Sequence, residues 1–182
     1  MTLPTSILSR PSIDIAHHRI HEGNHFTVHK ISTGIVAPKY FLIIPPPVQL
    51  GGRTIEMHLI FEVDSDMGGT LEFFESPTIT DNGIDLSSII KNNNRRSSTT
   101  SQVTIFENPT VTNDGTPLFQ QRKGTATTGT ELGEFRRSDE EFVLNPSDKY
   151  ILKFTPLGIT GANITVELNW YDNRPSSPVP IP

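Results

Sequence analysis

The sequence predicts an all-β fold, an antiparallel β-sandwich of jelly-roll type carrying extended N- and C-terminal arms. Three observations carry that expectation. Apolar and polar residues alternate with period two along several short segments. Clusters of Pro, Gly, Asn and Asp punctuate those segments. No segment sustains a helical period beyond two turns. Composition agrees: 15 prolines, abundant Thr and Asn and little Ala favour strands and turns. The apolar share of 34% is low beside the roughly 45–50% usual for globular chains. A thin two-layer core explains that deficit, and so does surface that becomes buried only on assembly.

Taken in order, the first strand is HFTVHKI (25–31), followed by KYFLII (39–44) up to the PPP at 45–47. TIEMHLIFEV (54–63) sets Ile55, Met57, Leu59 and Phe61 against Glu56, His58 and Glu62, with Ile60 the exception. TLEFFE (70–75), QVTIFE (102–107) and KYILKFT (149–155) follow. NITVELNWY (163–171) alternates most cleanly, with Ile164, Val166, Leu168 and Trp170 on one face. The pairs Phe73-Phe74 and Trp170-Tyr171 are expected to divide between core and surface. An internal echo joins FESPTITDNGIDL (74–86) to FENPTVTNDGTPL (106–118) at an offset of 32 residues. Two copies are too few for a solenoid, so the expectation is two related strand-and-loop units facing each other across the sandwich. KNNNRRSSTTS (91–101) reads as an exposed polar loop, and Gln120–Glu140 as a second long one.

The ends read as arms, dividing the chain into an arm at 1–16, a sandwich domain at 17–172 and a Pro-rich arm at 173–182. MTLPTSILSRPSIDIA lacks any sustained period, and DNRPSSPVPIP holds four prolines, which favours extended backbone. The apolar arm residues Leu3, Ile7, Leu8, Ile13, Ile15, Val179 and Ile181 are candidates for contacts with neighbouring subunits.

Charge and composition exclude several roles. A net charge of −5 and a pI near 5.6 argue against nucleic-acid binding, Arg95-Arg96 being a compact basic spot but no basic stripe. Without cysteine there are no disulfides or thiolate metal sites. No apolar run approaches the ~18 residues of a membrane span. The N-terminus lacks a signal-peptide apolar region, which predicts a soluble, non-secreted product. Gly-rich phosphate loops and G-x-S-x-G elbows are absent.

The histidines are the one chemical cluster. AHHRIHEGNHFTVHK (16–30) holds His17, His18, His21, His25 and His29 of the chain's 6. HEGNH matches H-E-x-x-H literally, but that zinc motif needs a helix, and Gly23-Asn24 followed by Phe26, Thr27 and Val28 speaks against one. On a strand, a spacing of four residues is about 13 Å, too long for two histidines to reach one ion. The expectation is exposed strand and turn histidines with no bound metal or cofactor. An assembly role for the turn around His21 is the alternative, since histidine makes subunit contacts pH-sensitive.

HRIHEGNHFTVHKISTGI, EFFESPTITDNG, KNNNRRSS, FENPTVTNDGT and YILKFTPLGITGANITVELNWYD, in that order, resemble a group of small tailed-bacteriophage virion proteins, the head decoration (cement) proteins. The resemblance spans Ala16 to Asp172. It implies a β-sandwich that oligomerises, as a homotrimer, outside an icosahedral shell, with the major capsid protein as partner. It also implies synthesis in the host bacterial cytoplasm, and it brings no catalytic residues. The expected function is therefore structural and non-enzymatic, without nucleic-acid or membrane contacts. Contacts are assigned to the two arms, to His21, and to Arg95 and Arg96. The alternatives are a tail- or fibre-associated host-surface-binding module reading through Gly124–Glu140, and a cupin-like or zinc hydrolase using His17, His21 and His25.

Overall fold

The computed structural model describes residues 15–46, 56–124, 133–136 and 141–173. Helix α1 (Ile15–Glu22) leads into β1 (His25–Ile35), β2 (Lys39–Ile44), β3 (Glu56–Ser65) and β4 (Gly69–Glu75). Then come β5 (Thr78–Asp81), β6 (Ile84–Asp85), β7 (Lys91–Asn92), β8 (Thr104–Glu107) and β9 (Thr110–Asn113). The chain continues through β10 (Thr116–Lys123), β11 (Gly133–Arg136), β12 (Phe142–Leu144), β13 (Tyr150–Pro156) and β14 (Ala162–Asn173).

These strands form an all-β antiparallel sandwich. One sheet runs β11-β3-β14-β1-β7 with β12 also on β3, and the other runs β10-β4-β13-β2-β8-β6. All the pairings are antiparallel, and consecutive strands β1 to β4 alternate between the sheets. The segment between β4 and β10 adds β7 and β8 along the opposite edge of each sheet.

Period two explains the core. Phe26 and Val28, then Met57, Leu59, Phe61 and Val63, and Ile164, Val166, Leu168 and Trp170 all point inwards from the first sheet. They meet Phe41, Ile43, Leu71, Phe73, Ile105, Leu152 and Phe154 from the second. Phe61 links the layers directly, its ring 5.3 Å from Phe73 and 5.7 Å from Phe119. Burying each such side chain contributes roughly 1.5–3 kcal/mol. Among the described residues two carboxylates are buried, Asp172 and Glu107. Glu107 on β8 is 5% exposed, pairs with Lys39 of its own sheet, and meets Lys30 of the other sheet at 2.9 Å. Ser32 Oγ donates to it at 3.2 Å. Burial alone would raise the Glu107 carboxyl, but hydrogen bonds and charge from Lys39 and Lys30 hold it below the usual carboxylate range.

The structure revises several of these expectations. The stretch before Gly23 is helical, because its pairs close at helical spacing: Arg19–Glu22 at 2.6 Å and His18–Glu22 at 3.2 Å. The presumed break is the helix's own cap. Gly23 N–H donates to Ile20 O and Asn24 N–H to Arg19 O, both at 3.0 Å, with Gly23 at φ +75°. The Gln120–Glu140 stretch is not one loop, since β10 extends to Lys123 and β11 occupies Gly133–Arg136.

The repeats do not face each other across the sandwich. They lie side by side, β5 pairing antiparallel with β9. That ribbon covers the outer face of the second sheet, where Ile79 and Val111, with Phe106, pack on Leu42, Phe74 and Ile151. Phe74 is therefore buried alongside Phe73 instead of dividing from it. Tyr171 is likewise buried, at 5% exposed.

Candidate functional site

His21, Arg95 and Arg96 are brought together at one end of the first sheet. Sequence explains how, through the asparagines. Asn92 Oδ1 accepts from Asn94 N–H at 2.9 Å, and Asn94 Oδ1 accepts from Arg96 N–H at 3.1 Å. Ser97 Oγ repeats the turn on Thr99 N–H at 3.1 Å. Each short polar side chain closes its own backbone, so the loop is built rather than merely solvated. The same amides tie it to the helix end: Asn94 Nδ2 donates to His21 O at 3.0 Å, and Asn92 Nδ2 to Gly23 O at 2.8 Å and Thr99 O at 2.9 Å. A Cβ at Gly23 would overlap Ser97 Oγ. The loop is accordingly half-buried along much of its length, contrary to the expected exposure, while Arg95 and Arg96 remain exposed.

The end of β14 joins this cluster through Asp172 N–H, which donates to Asn24 O at 3.0 Å. Ile15, one of the expected arm contacts, opens α1 on this side of the chain. Leu3, Ile7, Leu8, Ile13, Val179 and Ile181 lie outside the described residues.

Beside it, a row of rings crosses the outer face of the first sheet. His25, Tyr171 and His58 are register partners on β1, β14 and β3. Tyr171 stacks on His58 at 4.5 Å and on His25 at 6.4 Å. Tyr171 Oη donates to Glu141 at 2.7 Å, and His58 Nδ1 lies 2.9 Å from the same carboxylate. These contacts bury Tyr171 on a face that the strand period assigns to solvent. Asn93 Nδ2 donates to His25 Nδ1 at 2.8 Å. Burial lowers the His25 pKa from its ordinary value.

The six histidines thus share one region, three on α1 and three on the outer face of the first sheet. They do not form the three-ligand centre weighed from the sequence. H-E-x-x-H fails because α1 ends at Glu22 and His25 starts a strand. Among the described residues, no three His, Cys, Asp or Glu side chains are placed to hold one metal ion.

No family model matches this chain, and no curated protein matches it either.

A cleft of about 410 Å³ completes the region. Ser87, Ser97, Ser98 and Thr100 line it with hydroxyls, and Phe26, Ile90 and Val103 form its apolar floor. Sequence reasoning missed Asn92, Asn94, Tyr171 and Glu141 as site builders. The asparagine run was a legible signal for the first two, whereas Glu141 reaches Tyr171 only through the pairing of β12 with β3.

Proposed function

We propose that this chain is a structural virion protein, a capsid decoration protein that binds the outside of a phage head and bridges capsomers. The observation that carries this reading is the convergence of the His21 turn, the exposed Arg95-Arg96 pair and the end of β14 on one built surface. The opposite broad face of the sandwich is already occupied by the β5–β9 ribbon. A protein whose work is contact needs such a surface and a rigid body behind it. The order of the strands supports reading the sandwich as a jelly roll: β1, β14, β3 and β11 lie opposite β2, β13, β4 and β10. Resemblance to the phage head proteins points the same way and supplies the partner, the major capsid protein, and a homo-oligomeric state. Specific interfaces of this kind bury on the order of 1,000 Å² or more. Much of the resulting drive is offset by ordering of segments at the contact.

The test is co-sedimentation of purified protein with heads lacking it. Saturable binding at a fixed number of copies per shell is expected, weakened at least tenfold by Arg95→Glu with Arg96→Glu. Binding that does not saturate, or that ignores both arginines, would remove the reading. The hydroxyl-lined cleft favours a second one, a tail-associated module that binds host polysaccharide. That reading requires polysaccharide binding without head binding.

A further inference from the structure

His17 and His21 stand one helical turn apart on α1, with their Nε2 atoms 3.0 Å from each other and their rings edge to face at 4.7 Å. Both side chains are exposed. From this we propose that the pair is half of a zinc site, completed when a second copy of the chain presents the same two histidines across a twofold axis.

Two nitrogens bound to one tetrahedral zinc at about 2.0–2.1 Å stand about 3.3 Å apart. The pair therefore needs to open by only a few tenths of an ångström, within the freedom of two exposed rotamers. Imidazole nitrogens suit zinc, and a tetrahedral ion takes four ligands. This chain contributes two. The one carboxylate of α1, Glu22, is engaged by Arg19 at 2.6 Å and by His18 at 3.2 Å. No third His, Asp or Glu among the described residues joins the pair. Two positions are consequently left for an outside donor.

The second copy is the occupant the geometry favours. A twofold contact is self-complementary, so the same exposed face supplies the matching pair without any new surface. Among the described residues nothing packs over that face: α1 touches the sandwich through its other side, where Arg19 and Ile20 are half-buried. In the zinc-free chain the two rings share one hydrogen bond, a proton on one Nε2 facing the lone pair of the other. Zinc replaces that bond when the donor ring's proton shifts from Nε2 to its own Nδ1, the other ring already carrying its proton there, with no oxidation or reduction. His21 belongs to both the bridge and the proposed head-binding surface, but the bridge rests on the His17–His21 pair alone, so either reading can fail without the other.

The experiment is sedimentation velocity on the full chain, titrated with Zn²⁺ and then with a chelator. Expected is a rise in mass by a factor of two or more over the zinc-free species, complete at one zinc per two chains and reversed by the chelator. His17→Gln and His21→Gln should each abolish it, whereas His18→Gln should leave it intact. Far-ultraviolet circular dichroism of each variant establishes that the fold survives. An unchanged mass overturns the proposal, including the case where one zinc binds per chain without association. A mass increase that persists in His17→Gln also overturns it.

Discussion

Gly83 and Gly115, 32 residues apart in sequence, occupy equivalent positions about a local twofold relationship within the chain. Each has a left-handed backbone, φ +85° and +94°. Gly83 lies against the carbonyl of Glu107, and Gly115 against the carbonyl of Glu75. The surrounding bonds repeat in step. Gly83 N–H donates to Asp81 Oδ1 at 2.7 Å and Gly115 N–H to Asn113 Oδ1 at 2.8 Å. Thr80 Oγ1 donates to Thr110 O at 3.4 Å and Thr112 Oγ1 to Thr78 O at 3.3 Å. Ser76 and Asn108 match as well, at φ 56° and 58°. Each repeat thus braces the other.

Gly83→Ala and Gly115→Ala should therefore each destabilise the protein by about 3 kcal/mol or more, because a Cβ meets backbone as well as an unfavourable φ. Gly34→Ala is the control. It shares a positive φ of +68° but has nothing within 4 Å of a new Cβ, and should cost only about 1 kcal/mol. Urea denaturation of the three variants orders them, and equal losses would show that φ alone matters.

Glu107→Ala leaves Lys39 and Lys30 without their shared carboxylate. A loss of about 3 kcal/mol is expected, the low end for breaking a buried pair because Lys30 keeps part of its solvent. The pH dependence has a definite sign. The folded carboxyl sits below its ordinary 4.5, so its stabilisation is fully present above that value and is lost as pH falls through the folded one. Glu107→Gln should flatten the acid limb of the stability curve below 4.5, measured by thermal unfolding across pH.

His25 contributes a separate limb. Its folded pKa lies below the ordinary 6.5, so the unfolded chain binds the proton first and stability declines as pH falls from 6.5 towards the folded value. His25→Gln should reduce proton uptake on unfolding by up to one proton in that window. Unfolding calorimetry in buffers of different ionisation enthalpy measures it, and unchanged uptake would contradict the assignment.

Asn92→Ala removes three hydrogen bonds that hold the Arg95-Arg96 loop. Trypsin should then cut after Arg95 or Arg96 faster by on the order of tenfold, equivalent to about 1.4 kcal/mol of local opening. Global stability should fall by less than it does in the glycine variants. Unchanged cleavage would mean the loop is held by its other contacts.

Much of the sandwich was legible because a strand's period is local: NITVELNWY assigns Ile164, Val166, Leu168 and Trp170 to the core by alternation alone, and all four are buried there. The repeat was equally visible. Helix α1 was not. Eight residues make too few turns to declare a period, and its ends are set by ion pairs and a glycine cap that also read as a break.

What the sequence by itself determined is which residues alternate, where the chain turns and which two segments are alike. Only the tertiary structure decided that the alike segments pair with each other, that Tyr171 is covered on an outward face, and that His21 and Arg95 share one surface. The physical reason is that alternation and turn chemistry act between residues near in sequence. Register between distant strands is chosen by the combined burial of many side chains, and no single segment carries that information.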